Sequence, residues 1–497
     1  MVIAERRTTQ PSAHPRRGAW PGRLATHWPI AVLVLAGATI RALTMAAYPP
    51  ALLFPDSWGY IAAGLSGGFV ALPSQHPAGY PLLVKLLTLP GRSLAELVAF
   101  QHLAAITVGV AIYAALYRAR LPRWAAAAAA ALVLLDGFTV TLEQYVMSDT
   151  FFTALLLAAA LIVAWPQLAG DRSPLACRAW TRRSLLAGLV LAFAALVREA
   201  MPFTFPVFLL YLIWTRTGWR AILAFTLGAA LPLLAYSALV DARYRVFGLT
   251  ATSGWVLYGR VAGFADCSGV QLSRLEQRLC ETSAQRASHP TAPDWYIWEP
   301  SPAQRLFHPD TQSLGQVAPT NRVLSSFAET MMLAHPLAYA DATLGDFLDY
   351  LTPGVTPYAN AISATALPRT AAAEAHASVA QHADLPGLVL HVQAPAGLVR
   401  AYRRLVHVPR ALLALLAVAS VLGFALARRW RREIFLFSGG GLLLLLGTAA
   451  TAGFGIRYLL PAVPLLAIGG SLALAELAAR LRSPSAARAA SAASAVS

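Results

Sequence analysis

The stretch PIAVLVLAGATIRALTMAAY, residues 29–48, decides the fold class of this protein. It is almost wholly apolar, and its length is what an α-helix needs to cross the hydrocarbon core of a bilayer. The rest of the chain has the same character, since 57% of its 497 residues are hydrophobic and only 12% are charged. Soluble domains carry about 25% charged residues. The composition therefore indicates a polytopic membrane protein.

Further apolar runs resemble the first one. With about 20 residues for each crossing, they predict an all-α protein with about ten transmembrane helices. The residues before the first run contain many Arg and Pro but no cleavable apolar core, so we expect this run to remain as an anchor. The predicted spans are roughly 29–48, 96–117, 124–142, 149–166, 184–200, 202–215, 219–240, 409–427, 433–452 and 457–478.

The arginines predict how these helices are oriented. Basic residues outnumber acidic ones by 39 to 23, and they cluster between apolar runs, which favours retention at the cytoplasmic face over nucleic-acid binding. If both termini are cytoplasmic, every Arg-rich connection is cytoplasmic too. These connections are RARLPR (118–123), DRSPLACRAWTRR (171–183), TRTGWR (215–220) and RRWRRE (428–433).

The same topology divides the chain into segments. We expect a small, mostly helical extracytoplasmic domain, with a loosely structured Ala/Ser/Thr-rich stretch at about 359–385. This domain places Cys267 and Cys280 in an oxidising compartment, where they either form a disulfide or remain free thiols. The predicted segments are a basic cytoplasmic tail (1–28), a transmembrane module (29–240) with its first outer loop at 49–95, the outer domain (241–404), C-terminal transmembrane helices (405–480) and a disordered cytoplasmic tail (481–497).

Charged residues gather at the predicted outer face of the membrane. In LFPDSWGYIAAG (53–64), Asp56 opens a short interfacial helix whose apolar residues recur at helical spacing. Asp56 can serve simply as the cap of this helix. However, charged residues at membrane depth are costly and tend to mark functional sites. The others at this face are His76, Glu143, Asp149, Arg198 and Arg457.

The order of these motifs resembles the GT-C glycosyltransferases. The motifs are the Asp that opens the interfacial helix, HPAGYPLL (76–83), the acidic turn EQYVMSD (143–149) and RYLLPAVPLL (457–466). More narrowly, the chain is similar to the branch of the protein mannosyltransferases and the lipid A aminoarabinose transferases, which use polyprenyl-phosphate sugars. The resemblance covers roughly residues 29–240 and 433–478. It implies a GT-C-like helix bundle.

The resemblance also implies an activity. It predicts a multi-pass enzyme of the cell (plasma) membrane whose active site faces outward. This enzyme would transfer a hexose or pentose from a polyprenyl-phosphate carrier to an extracytoplasmic glycan, lipid or protein, with inversion at the anomeric carbon. Asp56 is then the catalytic base that takes the proton of the acceptor hydroxyl.

Glu143 and Asp149 are the candidates for a second catalytic acid. Some members of the family use an acid at this turn to hold a metal or to orient the acceptor. The alternatives are a helix cap at Asp149 and a solvated turn residue at Glu143. A divalent metal ion remains an open alternative, because these carboxylates with Asp56 and His76 could supply ligands but show no tight ligand spacing.

The donor phosphate requires cations. Arg198 and Arg457 offer planar, permanently charged forks that suit phosphate oxygens. Their alternatives are a pair between Arg198 and Glu199 and a headgroup anchor at Arg457. His76 is assigned to the same role, although the aminoarabinose branch has a lysine there. Tyr80, in the same motif as His76, is assigned to substrate binding by the resemblance.

Two other classes of function compete with the enzyme. A transporter or lipid flippase would place its polar residues near the bilayer midplane, often on broken helices in paired repeats. Here the charges lie at the outer edge and no repeat is visible, which favours the enzyme. A scaffold that binds a partner through its outer domain leaves the charges of the short loops unexplained.

Overall fold

The protein is described by a computed structural model over residues 26–65, 71–91, 93–169, 177–199, 203–309, 312–354, 367–369 and 390–494. Within these ranges it is helical and has no β-strand beyond an isolated bridge between Leu52 and Tyr145. The predicted all-α fold class is therefore confirmed. The N-terminal tail up to residue 25 and the stretch 359–385, apart from 367–369, lie outside the described residues.

Seven described helices are long and apolar enough to cross a membrane, or nine if each of two bent pairs counts as one span. The predicted count of about ten spans is therefore approximate. The difference lies at 202–215, where the helix Phe205–Trp214 has only ten residues and is too short to cross alone. The seven helices are Trp28–Ala47, Leu94–Arg118, Asp149–Leu168, Arg178–Val197, Trp219–Tyr244, Arg431–Thr451 and Ala462–Arg482.

The two bent pairs each turn by 44° at a short break. The first joins Arg123–Leu134 to Gly137–Gln144, and the second joins Ala396–Leu405 to Arg410–Leu426. In the first pair Asp136 starts the new helix, since its Oδ2 accepts from the Thr139 amide at 2.7 Å. This break changes the direction in which the residues after it point.

Close packing between spans depends on small residues. The helix Trp219–Tyr244 packs along Cys177–Val197, and a Cβ added at Gly188 would lie 2.4 Å from the carbonyl oxygen of Phe225. A Cβ at Gly228 would lie 2.8 Å from the carbonyl oxygen of Leu185. Small residues let helix backbones approach closely in a bilayer, where hydrophobicity does not drive helices together.

The remaining helices lie outside the predicted spans. Between the spans that end at Tyr244 and begin after residue 390, short helices surround a separate core that contains Tyr258, Tyr296 and Phe327. Two short helices, Pro55–Leu65 and Gly79–Leu87, follow the first span. The later ones are Ser253–Ala262, Arg274–Gln277, Ser283–Ala287, Pro293–Trp298, Pro302–Phe307, Leu314–Ala334 and Pro336–Asp349.

Backbone hydrogen bonds attach the first loop to the turn before the helix Asp149–Leu168. The Leu52 amide donates to the Gln144 carbonyl, and the Val146 amide donates to the Leu52 carbonyl, both at 2.9 Å. The Ser57 hydroxyl then donates to the Val146 carbonyl at 2.8 Å. The start of the short helix Pro55–Leu65 is thereby held beside the start of a long membrane helix.

Candidate active site

Asp56 lies in the first turn of Pro55–Leu65 and forms an ion pair with Arg457. The distance from Asp56 Oδ2 to Arg457 Nη1 is 2.8 Å, and the side chains are 9% and 20% exposed. Arg457 belongs to the 3₁₀ turn Ile456–Leu459, which connects two membrane helices. Its guanidinium also stacks over Phe54, 4.7 Å from the ring centroid. The sequence had offered no charge partner for Asp56.

The ion pair controls the ionisation of Asp56. Burial acts to raise the pKa of this carboxyl, but the surrounding positive charges, above all Arg457, outweigh burial and hold the pKa below its ordinary value. Asp56 is therefore a carboxylate at neutral pH. It can accept a proton or a hydrogen bond, but it cannot donate one.

A second ion pair lies next to the first. Arg198 follows the end of one membrane helix, and Asp149 begins another; their Nη1 and Oδ1 atoms are 2.8 Å apart. Asp149 is only 1% exposed, yet neither of its carboxylate oxygens has an aligned hydrogen-bond donor among the described residues. Both carboxylate oxygens of Asp149 can therefore still accept a hydrogen bond. Glu199, the alternative partner predicted for Arg198, accepts a hydrogen bond from the Thr250 hydroxyl at 3.0 Å.

Tyr458 joins the two pairs. The guanidinium of Arg198 lies 5.0 Å from its ring centroid and that of Arg457 lies 5.2 Å away. Cations over an aromatic face are attracted by the ring, so Tyr458 attracts both guanidiniums. Tyr458 is within the RYLLPAVPLL motif, but no pattern in that motif distinguishes it from its apolar neighbours.

His76 and Tyr80 occupy different positions relative to this cluster. His76 packs over Tyr60 at 4.5 Å, and the charges of Asp56, Arg457 and Arg198 all act on it. Burial lowers the pKa of His76, so its imidazole is neutral at pH 7. Tyr80 is fully buried, and its hydroxyl donates to Gln101 at 2.6 Å. Its ring supports Tyr60 at 4.7 Å, in an edge-to-face arrangement.

Glu143 lies away from this cluster, inside the helix bundle. Its carboxylate is 0% exposed and accepts two hydrogen bonds from Arg41, both at 2.7 Å. His102 Nδ1 lies 2.7 Å from the same carboxylate. Arg41 also donates at 2.7 Å to the carbonyl of Leu134, which the break in the helix leaves free. Glu143 therefore belongs to a buried structural network, and Arg41 lies within the protein instead of extending to the interface.

Sequence reasoning missed one carboxylate near the cluster. Asp294 is in the first turn of Pro293–Trp298, in the segment outside the spans. Burial raises the pKa of Asp294, and the charges of Arg457 and Asp56 both act on it. In DWYIW (294–298) the aromatic residues are the more conspicuous candidates for a binding role. However, Tyr296 is buried in the core of this segment.

The other predicted features lie apart from the cluster. Cys267 and Cys280 form a disulfide that links positions 13 residues apart in the segment between the spans. Across the described ranges, no group of three or more His, Cys, Asp or Glu side chains is placed to hold a metal ion.

Most of the predicted site residues come together in the structure. Five of them meet at one end of a membrane helix bundle, with a carboxylate that accepts protons and two arginines that suit phosphate oxygens. Residues 88–256 match the sequence model of the dolichyl-phosphate-mannose-protein mannosyltransferase family. The predicted resemblance to membrane glycosyltransferases of the GT-C type is thereby confirmed. The five residues are Asp56, His76, Asp149, Arg198 and Arg457.

Two solved structures are also similar to the chain. They are crystal structures of ArnT from Cupriavidus metallidurans, one bound to undecaprenyl phosphate and one in the apo state. The sequence identities are 15% and 17%, and the TM-scores are 0.32 and 0.33. Each alignment covers 90% of this chain and 78% of the other. No curated protein sequence matches the chain.

Proposed function

We propose that this protein transfers a hexose or pentose from a polyprenyl-phosphate carrier to a hydroxyl group of an extracytoplasmic glycan, lipid or protein. The observation that carries the proposal is the Asp56–Arg457 ion pair beside Asp149–Arg198. Supporting it, the matched family is described by a lipid-phosphate-sugar donor. The Arg-rich connections support a plasma-membrane protein with cytoplasmic termini and this site on the outer face.

In the proposed reaction, Arg198 and Arg457 bind the phosphate of the donor. Each presents a charged fork to phosphate oxygens, and Tyr458 holds the two forks side by side. These charges stabilise the phosphate as it leaves with the electron pair of the bond to the anomeric carbon. A neutral His76 contributes a hydrogen bond but no charge at pH 7.

Asp56 acts on the acceptor. The acceptor oxygen forms the new bond to the anomeric carbon, on the face opposite to the departing phosphate, and its proton passes to Asp56 Oδ. This displacement inverts the configuration of the sugar. Asp149, which has unused acceptor capacity, orients a hydroxyl of the sugar or of the acceptor. Glu143 has no part in this scheme, because Arg41 and His102 occupy its carboxylate.

The test uses purified full-length protein reconstituted with a panel of polyprenyl-phosphate sugars and a membrane extract as acceptor. Donor consumption is followed by mass spectrometry for wild type, Asp56→Asn and the control Asp341→Asn, whose carboxylate is exposed and distant in sequence. We expect turnover by wild type and control only. Equal turnover by Asp56→Asn would remove Asp56 from the mechanism, and transbilayer movement of the donor without bond cleavage would replace the enzyme by a transporter.

The same assay addresses the divalent metal that the sequence left open. A chelator is added, and Mg²⁺ is then restored. Loss and recovery of turnover would assign a metal to the bound donor phosphate, with Asp56 and Asp149 as the nearest carboxylates. Turnover that persists in the presence of the chelator would indicate that Arg198 and Arg457 bind the phosphate without a metal ion.

A further inference from the structure

A polar cavity lies at the opposite end of the bundle from the candidate active site. Its volume is about 730 Å³, and Gln167 contributes to its wall. Gln167 is near the end of the helix Asp149–Leu168, whose first residue belongs to the active-site cluster. A helix of this length spans about 30 Å. The cavity is therefore on the other side of the membrane.

Five arginines line this cavity, with Glu433 as its one acidic lining residue. Within the described chain, none of their guanidiniums forms an ion pair with a carboxylate. Glu476 is near, but it accepts from the backbone amides of Arg428 and Arg429 and not from their side chains. The cavity thus carries a concentrated net positive charge. The five are Arg120, Arg428, Arg429, Arg431 and Arg432.

Aromatic residues build the wall and orient the arginines. The guanidinium of Arg429 lies 4.3 Å over Trp430, and that of Arg431 lies 5.0 Å over Phe424. Stacking uses the faces of the guanidiniums and leaves their N–H edges for a ligand. The membrane helix Arg431–Thr451 also begins here, so its free amides add partial positive charge.

We propose that this cavity binds the phosphate group of an anionic lipid headgroup. Arg forks match phosphate oxygens. The cavity lies where membrane helices end, at the level of lipid headgroups, and basic pockets between helices at this level suit such ligands. Its volume accommodates a headgroup. The inference is independent of the proposed transfer reaction.

The test measures binding of a short-chain phosphatidylglycerol to the purified full-length protein in neutral detergent, by native mass spectrometry. Phosphatidylcholine of the same chain length and inorganic pyrophosphate are the comparison probes. The variant is Arg431→Gln/Arg432→Gln. The matched control is Arg178→Gln/Arg220→Gln, which removes the same charge at exposed positions at the starts of two other membrane helices.

We expect the cavity variant to lose affinity for phosphatidylglycerol by at least about tenfold, while the control stays within about twofold. Trp430→Leu, which removes the ring beneath the Arg429 guanidinium, should lose affinity by a smaller factor and guards against misfolding of the double variant. Pyrophosphate binding with the same pattern, without lipid binding, would support the phosphate site and assign it a soluble ligand. Equal losses in variant and control, or equal binding of phosphatidylcholine, would overturn the proposal.

Discussion

As the proposed base, Asp56 is needed in its carboxylate form, and Arg457 favours that form. The pKa of Asp56 lies below its ordinary value, so the carboxylate persists as the pH falls and is lost only when the pH passes through the lowered pKa. Since an ordinary Asp has a pKa of about 4, activity should stay flat between about pH 5 and 8. Initial rates of donor consumption across this range provide the measurement. A loss of activity within this range as the pH falls would point instead to titration of His76.

The planar guanidinium of Arg198 is suited to holding two oxygens of the donor phosphate. Lysine keeps the charge but cannot hold two phosphate oxygens at once or stack flat on Tyr458. Arg198→Lys should therefore raise the donor KM by about tenfold, equivalent to about 1.4 kcal/mol. Steady-state kinetics with a purified donor measure this change, and Arg220→Lys, at an exposed position, is the control. An unchanged KM would show that Arg198 does not bind the donor phosphate.

Among the structural elements, the bent pair Arg123–Leu134 and Gly137–Gln144 depends most on a single ion pair. Glu143→Gln would leave Arg41 buried, charged and without its carboxylate. Breaking a buried pair in this way costs about 3–5 kcal/mol. We expect a marked loss of thermal stability in detergent, with turnover per folded molecule nearly unchanged. A stable variant that had lost turnover would return Glu143 to the catalytic machinery.

The same bend shows what could be predicted from the sequence. Alternation of the Arg-rich loops placed Asp56, Asp149, Arg198 and Arg457 at one membrane face, because orientation depends on the order of spans alone. The same alternation placed Glu143 at this face too, because a straight helix that ends near residue 142 would expose the Glu143 side chain. The 44° break at Asp136 turns it inward, and the apolar pattern does not reveal such a break. The pairs themselves were not predictable, because Asp56 and Arg457 are 401 positions apart.

At the scale of the whole molecule, the segment between the spans contacts the loop that carries Arg457. Gly453 has φ of +83°, and a Cβ added there would lie 2.6 Å from Pro293 Cγ, next to Asp294. Gly453→Ala should push this segment away and lower turnover, although it touches neither of the two ion pairs of the candidate active site. Gly354 has a similar φ of +81° and nothing within 4 Å, so Gly354→Ala is a control for backbone strain alone. Equal turnover in the two variants would show that the contact is dispensable.

The buried Arg41 also has a consequence for how the chain enters the membrane. Its carboxylate partner is 102 residues further along, so the ribosome makes the second span and the bent pair before the charge of the first span is neutralised. Until then the first helix carries a lone guanidinium, which costs about 2.5–3.5 kcal/mol at the centre of a membrane helix. Nascent chains that end before residue 143 should therefore keep the first helix loosely held in the insertion machinery, and chains that extend past it should release it into the lipid.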